Sequence, residues 1–161
     1  MKKILLAFFV FILAASVWSQ EIKHPKGDFV TVNGAKLWYE SEGTGEAVLI
    51  IPGGPGNSHI YFHPYFSELA KSFRVIYFDA FGRGRSDRAK SPKEYLFDRD
   101  VEDIEALRKA LKIDKWIILG HSYGGMVAQG YALKYPSSIS KLILSNTLYN
   151  AEMWQGNDDN S

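Results

Sequence analysis

The sequence predicts an α/β protein, a mostly parallel sheet flanked by helices and entered through an antiparallel hairpin at its N-terminal end. Two observations carry this expectation. Short, almost continuously apolar runs, as in strands covered on both faces, alternate with stretches whose apolar residues recur every three or four positions. Buried strands alternating with helices pair in parallel through right-handed crossovers.

The elements follow in order. Phe29-Val30-Thr31-Val32 and Lys36-Leu37-Trp38-Tyr39 flank Asn33-Gly34, a dipeptide suited to a type I′ turn, so the spacing predicts a hairpin. A polar connector, Ser41 to Glu46, leads to the apolar run Ala47 to Ile51. Further strands are expected at Arg74 to Phe78, Trp116 to Leu119 and Leu142 to Leu144. Between them, Val101, Ile104, Leu107 and Leu111 trace one face of a helix whose other face carries Glu102, Asp103, Glu105, Arg108 and Lys109. Tyr61 to Lys71 and Met126 to Tyr135 are the other expected helices, the last stopped by Pro136.

Composition narrows the function classes. Lys2 and Lys3 precede an apolar stretch from Ile4 to Ala15, with modest residues around a cleavage point before Gln20, so residues 1–19 are expected to be a secretory signal. The apolar run is short for a membrane span, which favours export to the periplasm or beyond with no stable membrane insertion after cleavage; an uncleaved anchor is the alternative. The formal charge of +1 leaves no basic stripe for nucleic acid. The absence of cysteine excludes a disulfide framework, a thiolate nucleophile and a cysteine zinc site, and no ligand spacing suggests another metal or a cofactor. With 46% hydrophobic residues, the remainder suits one domain, or part of one, over residues 20–150, followed by a tail at 151–161.

Chemistry is expected where strands end in glycine-rich turns, at the carboxyl edge of the sheet. Three such turns occur: Pro52-Gly53-Gly54-Pro55-Gly56, Asp79-Ala80-Phe81-Gly82-Arg83-Gly84, and Gly120-His121-Ser122-Tyr123-Gly124. None is a phosphate cradle, because the first lacks the P-loop lysine and the second lacks the third glycine of a dinucleotide motif. The third is a G-x-S-x-G motif between an expected strand and an expected helix, where small neighbours permit a sharp bend that pushes the serine hydroxyl outward. Ser122 is therefore the candidate nucleophile. His121, adjacent on a tight turn, is read as a packing residue, His59 and His63 as surface histidines, the Asp79 turn as structural, and Arg83 and Arg85 as solvated charges.

Taken together, Gly53-Gly54-Pro55-Gly56, Asp79-x-x-Gly82-x-Gly84-x-Ser86 and Gly120-His121-Ser122-Tyr123-Gly124-Gly125 resemble the α/β-hydrolase superfamily over residues 28 to 150. Within it the G-G-P-G loop is most similar to the proline iminopeptidases, serine peptidases that remove an N-terminal proline. The resemblance implies acyl-enzyme chemistry at Ser122 on a short peptide or other small molecule. The backbone N–H of Tyr123 and one from Gly53 or Gly54 would hold the oxyanion. It also implies a chain order of serine, acid, histidine. Pro52 and Phe81 depart from the histidine and arginine common in those peptidases, which motivates a second reading as an esterase or lactonase.

No histidine follows Ser122, and the acids after it are Glu152, Asp158 and Asp159 in a polar tail. The expectation is that the C-terminal part of the domain is missing, that residues 151–161 begin a lid or a truncated tail, and that the chain alone is nearly inactive. A non-catalytic binding or scaffold protein is the third reading.

Overall fold

The computed structural model describes residues 24–149. The expected leader at 1–19 and the acids Glu152, Asp158 and Asp159 lie outside the described residues. Six strands form one sheet: β1 (Gly27–Val32), β2 (Ala35–Glu42), β3 (Ala47–Ile51), β4 (Arg74–Phe78), β5 (Trp116–His121) and β6 (Ile139–Ser145). Two helices accompany them, α1 (Phe97–Ala110) and α2 (Tyr123–Lys134). The order across the sheet is β1-β2-β4-β3-β5-β6. The β4, β3, β5 and β6 strands run parallel, while β1 with β2 and β2 with β4 are antiparallel.

The hairpin forms as its turn residues dictate. Asn33 at φ 47° and Gly34 at φ 77° provide the two left-handed positions of a type I′ turn, and Val32 pairs directly with Ala35. In β3 every residue is buried, and the two-residue period of a strand explains why. Leu49 and Ile51 enter a core shared with Ile76, Phe78, Ile118, Ile104 and Val127, on the face covered by α1 and α2. Val48 and Ile50 enter a second core with Val75, Tyr77, Ile117 and Phe62 on the opposite face.

The expected helix at Tyr61–Lys71 is replaced by two 3₁₀ segments, His59–Phe62 and Tyr65–Lys71. Pro64 is the reason. It has no N–H to donate and excludes the residue before it from helical geometry; His63 accordingly sits at φ −82°, ψ 143°. The helix expected from Met126 starts three residues earlier, at Tyr123, and ends before Pro136 as anticipated. No helix of the described residues is long and apolar enough to cross a membrane.

Candidate functional site

Around β3 and β5 the connections part. The chain leaving β3 crosses to β4 through segments packed on the Val48 face, whereas the chain leaving β5 continues as α2 on the Leu49 face. Such a switch point opens a crevice at the carboxyl ends of the two central strands. The Pro52–Gly56 turn and Ser122 both lie there.

Ser122 is held at φ 54°, ψ −123°, a strained conformation for a residue with a side chain, between β5 and α2. Its surroundings hold it in place. The Ser122 N–H donates to the Ser145 carbonyl at 3.0 Å, and its own carbonyl accepts from Gly125 N–H at 2.9 Å and Thr147 Oγ1 at 2.7 Å. The bend closes only because its flanks are bare: a Cβ on Gly120 would meet Gly125 Cα at 2.6 Å, and one on Gly124 would strike the carbonyls of Ile51 and Pro52. Ser122 is half-buried, and among the described residues its hydroxyl has no hydrogen-bond partner.

The glycine turn after β3 lies directly against this bend. A Cβ on Gly53 would stand 2.9 Å from Ser122 Cβ, and Gly54 at φ 121° adopts a conformation that side chains rarely reach. The two candidate oxyanion glycines differ in one respect. Gly53 N–H donates to the Tyr61 hydroxyl at 2.7 Å, and that hydroxyl also hydrogen-bonds His121 Nδ1 at 3.0 Å. Tyr123 N–H begins α2 and so has no partner within the helix. His121 packs against the rings of Tyr61 and Phe62, in keeping with a packing role.

Arg83 corrects the sequence reading. It is buried, not solvated, and its guanidinium donates to the Pro55 carbonyl at 2.7 Å, to the Phe81 carbonyl at 2.9 Å and to both carboxylate oxygens of Asp100, at 2.6 and 3.0 Å. Asp100 also accepts from the Tyr123 hydroxyl at 2.9 Å, and burial, then the Asp100 charge, push that phenol's pKa well up. One ion pair thus joins the turn after β3, the turn after β4, α1 and the first residue of α2. Its polar neighbours in sequence, Arg85, Asp87 and Arg88, concealed this; the partner is seventeen positions away. An open cavity of about 630 Å³ lies alongside, lined by Pro55, Gly56, Gly82, Tyr95, Phe97 and Tyr123.

His59 and His63 are a second correction, since both are buried. His59 Nδ1 lies 2.8 Å from Asp79 Oδ1, and Asp79 also accepts from the backbone N–H groups of His59 and Arg85, at 2.9 and 2.8 Å. Burial alone would raise the Asp79 pKa, but His59 and these N–H groups outweigh it and lower it. Burial likewise opposes the charge on His59, while Asp79 and Glu40 prevail and raise its pKa. The Asp79 carboxylate is engaged by these contacts within the fold, and Arg85, 55% exposed, lies over the Trp38 ring with its Nη1 3.8 Å from Glu40 Oε1. No imidazole of the described residues hydrogen-bonds the Ser122 hydroxyl.

This arrangement places the molecule among α/β proteins that mount a serine on a strand-to-helix elbow at a switch point. Residues 46–160 match the family described as alpha/beta hydrolase fold, and the chain belongs to that family. It is 40% identical over 111 residues to a proline iminopeptidase of Saccharolobus solfataricus, a match covering 68% of this chain and 36% of that protein. It is 37% identical over 124 residues to a cis-3-alkyl-4-alkyloxetan-2-one decarboxylase of Shewanella oneidensis, covering 76% and 39% of the two chains. Among solved structures, a proline iminopeptidase-related protein of Thermus thermophilus superposes with a TM-score of 0.73 at 30% identity, over 80% of this chain and 46% of that one. The chain therefore spans less than half the length of these relatives.

Proposed function

We propose that this chain carries the nucleophile and oxyanion half of a serine hydrolase. The observation that carries the reading is Ser122 at φ 54° between β5 and α2, with its hydroxyl unpartnered among the described residues and the Gly53 turn pressed against it. Ser122 Oγ attacks an acyl carbonyl, the bond to the leaving amine or alcohol breaks, and water later releases the acyl group from the serine. The N–H of Tyr123 serves as one oxyanion donor. The second comes from the glycine turn, from Gly54 in the resting arrangement or from Gly53 once the Tyr61 contact opens. With no imidazole of the described residues on Ser122, these residues leave the proton to solvent, and turnover by them is expected to be slow. An oxyanion hole and binding together sustain only about 10³–10⁴-fold over water when a triad member is missing.

Treatment with a fluorophosphonate, followed by peptide mapping, tests the assignment. Modification at Ser122 that disappears in Ser122→Ala supports it; modification elsewhere with Ser122 untouched overturns it.

For substrate we propose peptides with an N-terminal proline, on the likeness to proteins named proline iminopeptidase. Pro52, and the likeness to a protein named for an oxetan-2-one, a cyclic ester, favour esters or lactones as the second reading. Parallel assays on proline naphthylamide and short-chain esters separate the two. We further propose export directed by residues 1–19, which N-terminal sequencing of the mature protein checks: a chain beginning near Gln20 is the expected result.

A further inference from the structure

Away from the serine elbow, the described residues gather three imidazoles and two carboxylates from five places in the sequence. Glu40 on β2 is 1% exposed, and its two oxygens face different company. Oε1 accepts from Trp38 Nε1 at 3.2 Å and lies 3.1 Å from His59 Nε2 and 3.8 Å from Arg85 Nη1, neither of these a hydrogen bond. Oε2 has no hydrogen bond, although His63 Nε2 lies 3.2 Å away and His24 Nδ1 4.0 Å away. His63 is buried as well, and neither of its ring nitrogens has a hydrogen-bond partner. Buried polar atoms are nearly always paired, so four unpaired ones on three adjacent side chains, His59 Nε2 among them, call for an explanation.

A proton shared between His63 and Glu40 is the first explanation to weigh. The separation suits an ion pair, but the two groups form no hydrogen bond. A cation would engage the same two atoms and bring in His24 as well. One donor atom each from His24, Glu40 and His63 lies within 4.8 Å of the others. Zinc binds imidazole nitrogen and carboxylate oxygen at about 2.0–2.2 Å, which puts neighbouring tetrahedral ligands about 3.3–3.5 Å apart. The Glu40 and His63 atoms are already near that spacing. His24, the exposed member, has to close the remaining gap by less than the length of a bond.

We propose that His24, Glu40 and His63 form a site for one divalent transition-metal cation of the zinc class, with a fourth position left to water. Two imidazoles and a carboxylate, without thiolate, suit zinc and its first-row neighbours over magnesium, which prefers an all-oxygen shell. Outer support is present too. Trp38 Nε1 donates to the other oxygen of Glu40, and His59, hydrogen-bonded to Asp79, lies 3.1 Å from that oxygen; metal-binding carboxylates commonly have such outer partners. The site would tie the segment before β1, strand β2 and the turn after the 3₁₀ segment His59–Phe62 to one another. That segment carries Tyr61, whose hydroxyl holds Gly53 N–H, so the cation acts as a clasp on the glycine turn and not as a participant in acyl chemistry.

The full chain, purified without a histidine tag and stripped with EDTA, is titrated with ZnCl₂ by calorimetry, and its melting is followed with and without the ion. The expected result is one Zn²⁺ per chain, a raised melting temperature, and no response to MgCl₂. His24→Gln, at an exposed position, leaves the metal-free melt unchanged and weakens binding at least tenfold. Co²⁺ provides a second readout, because its visible absorption in a nitrogen and oxygen site disappears with the same substitution. Absence of Zn²⁺ binding by the folded wild-type chain overturns the proposal. So does binding that His24→Gln and His63→Gln both leave intact, which would put the ion elsewhere.

Discussion

Gly53 leaves no room for a side chain at the point where two catalytic parts are proposed to meet. A Cβ there would lie 2.9 Å from Ser122 Cβ and 3.1 Å from His121 Nδ1, so Gly53→Ala must push the turn away from the serine. A displacement on the order of 1 Å lowers the rate of a positioned reaction about 100-fold. Fluorophosphonate labelling of Gly53→Ala is expected to slow by that order, while its melt still shows a folded protein. Arg83 and Asp100 act through packing instead. Both are buried and joined by two charge-assisted hydrogen bonds, so Asp100→Ala strands a buried guanidinium and is expected to destabilise the fold by about 3–5 kcal/mol in urea denaturation. The double variant Arg83→Met/Asp100→Leu, which buries no charge, is expected to recover much of that loss.

The elements differ in how plainly the chain announced them. Asn33-Gly34 announced the hairpin because only its turn chemistry supplies two left-handed residues in succession, and the period of Val101, Ile104 and Leu107 announced α1. The segment 59–71 misled because its apolar spacing is helical while Pro64 forbids the continuous helix. Helix α1 also carries a pH dependence. Its Glu105 accepts hydrogen bonds from Arg108 at 2.8 and 2.9 Å and from the Tyr131 hydroxyl at 2.7 Å. The Arg108 bonds, against burial and with help from Tyr131, lower its pKa from 4.5 to about 2. A carboxylate depressed in the folded state stabilises at pH above its unfolded value, and that contribution fades as pH falls from 4.5 towards 2. Glu105→Gln is therefore expected to be less stable than the native chain at neutral pH. The difference should narrow across that acid window in melts recorded at successive pH values.

At the scale of the whole molecule, the sheet, the elbow and the glycine turn were legible because each is written in neighbouring residues. The Arg83–Asp100 pair and the histidine cluster were not, because they exist only once distant segments are folded together; His24, Glu40 and His63 share no spacing that marks a site. One surface consequence concerns β6, which among the described residues pairs with β5 on one side and has no strand on the other. Leu142, Ile143 and Leu144 are 38%, 44% and 44% exposed, an apolar edge of the kind that templates association. Ile143→Lys is expected to reduce concentration-dependent light scattering while leaving the melting temperature nearly unchanged.

The same strand reaches further than its exposure suggests. Ser145 receives the amide of Ser122, and Thr147, two residues on, grips the serine's carbonyl. Any tug on this ribbon, the outermost among the described residues, is thus passed to the backbone of the proposed nucleophile through two short tethers. Whatever seats or unseats the ribbon acts as a hand on the trigger.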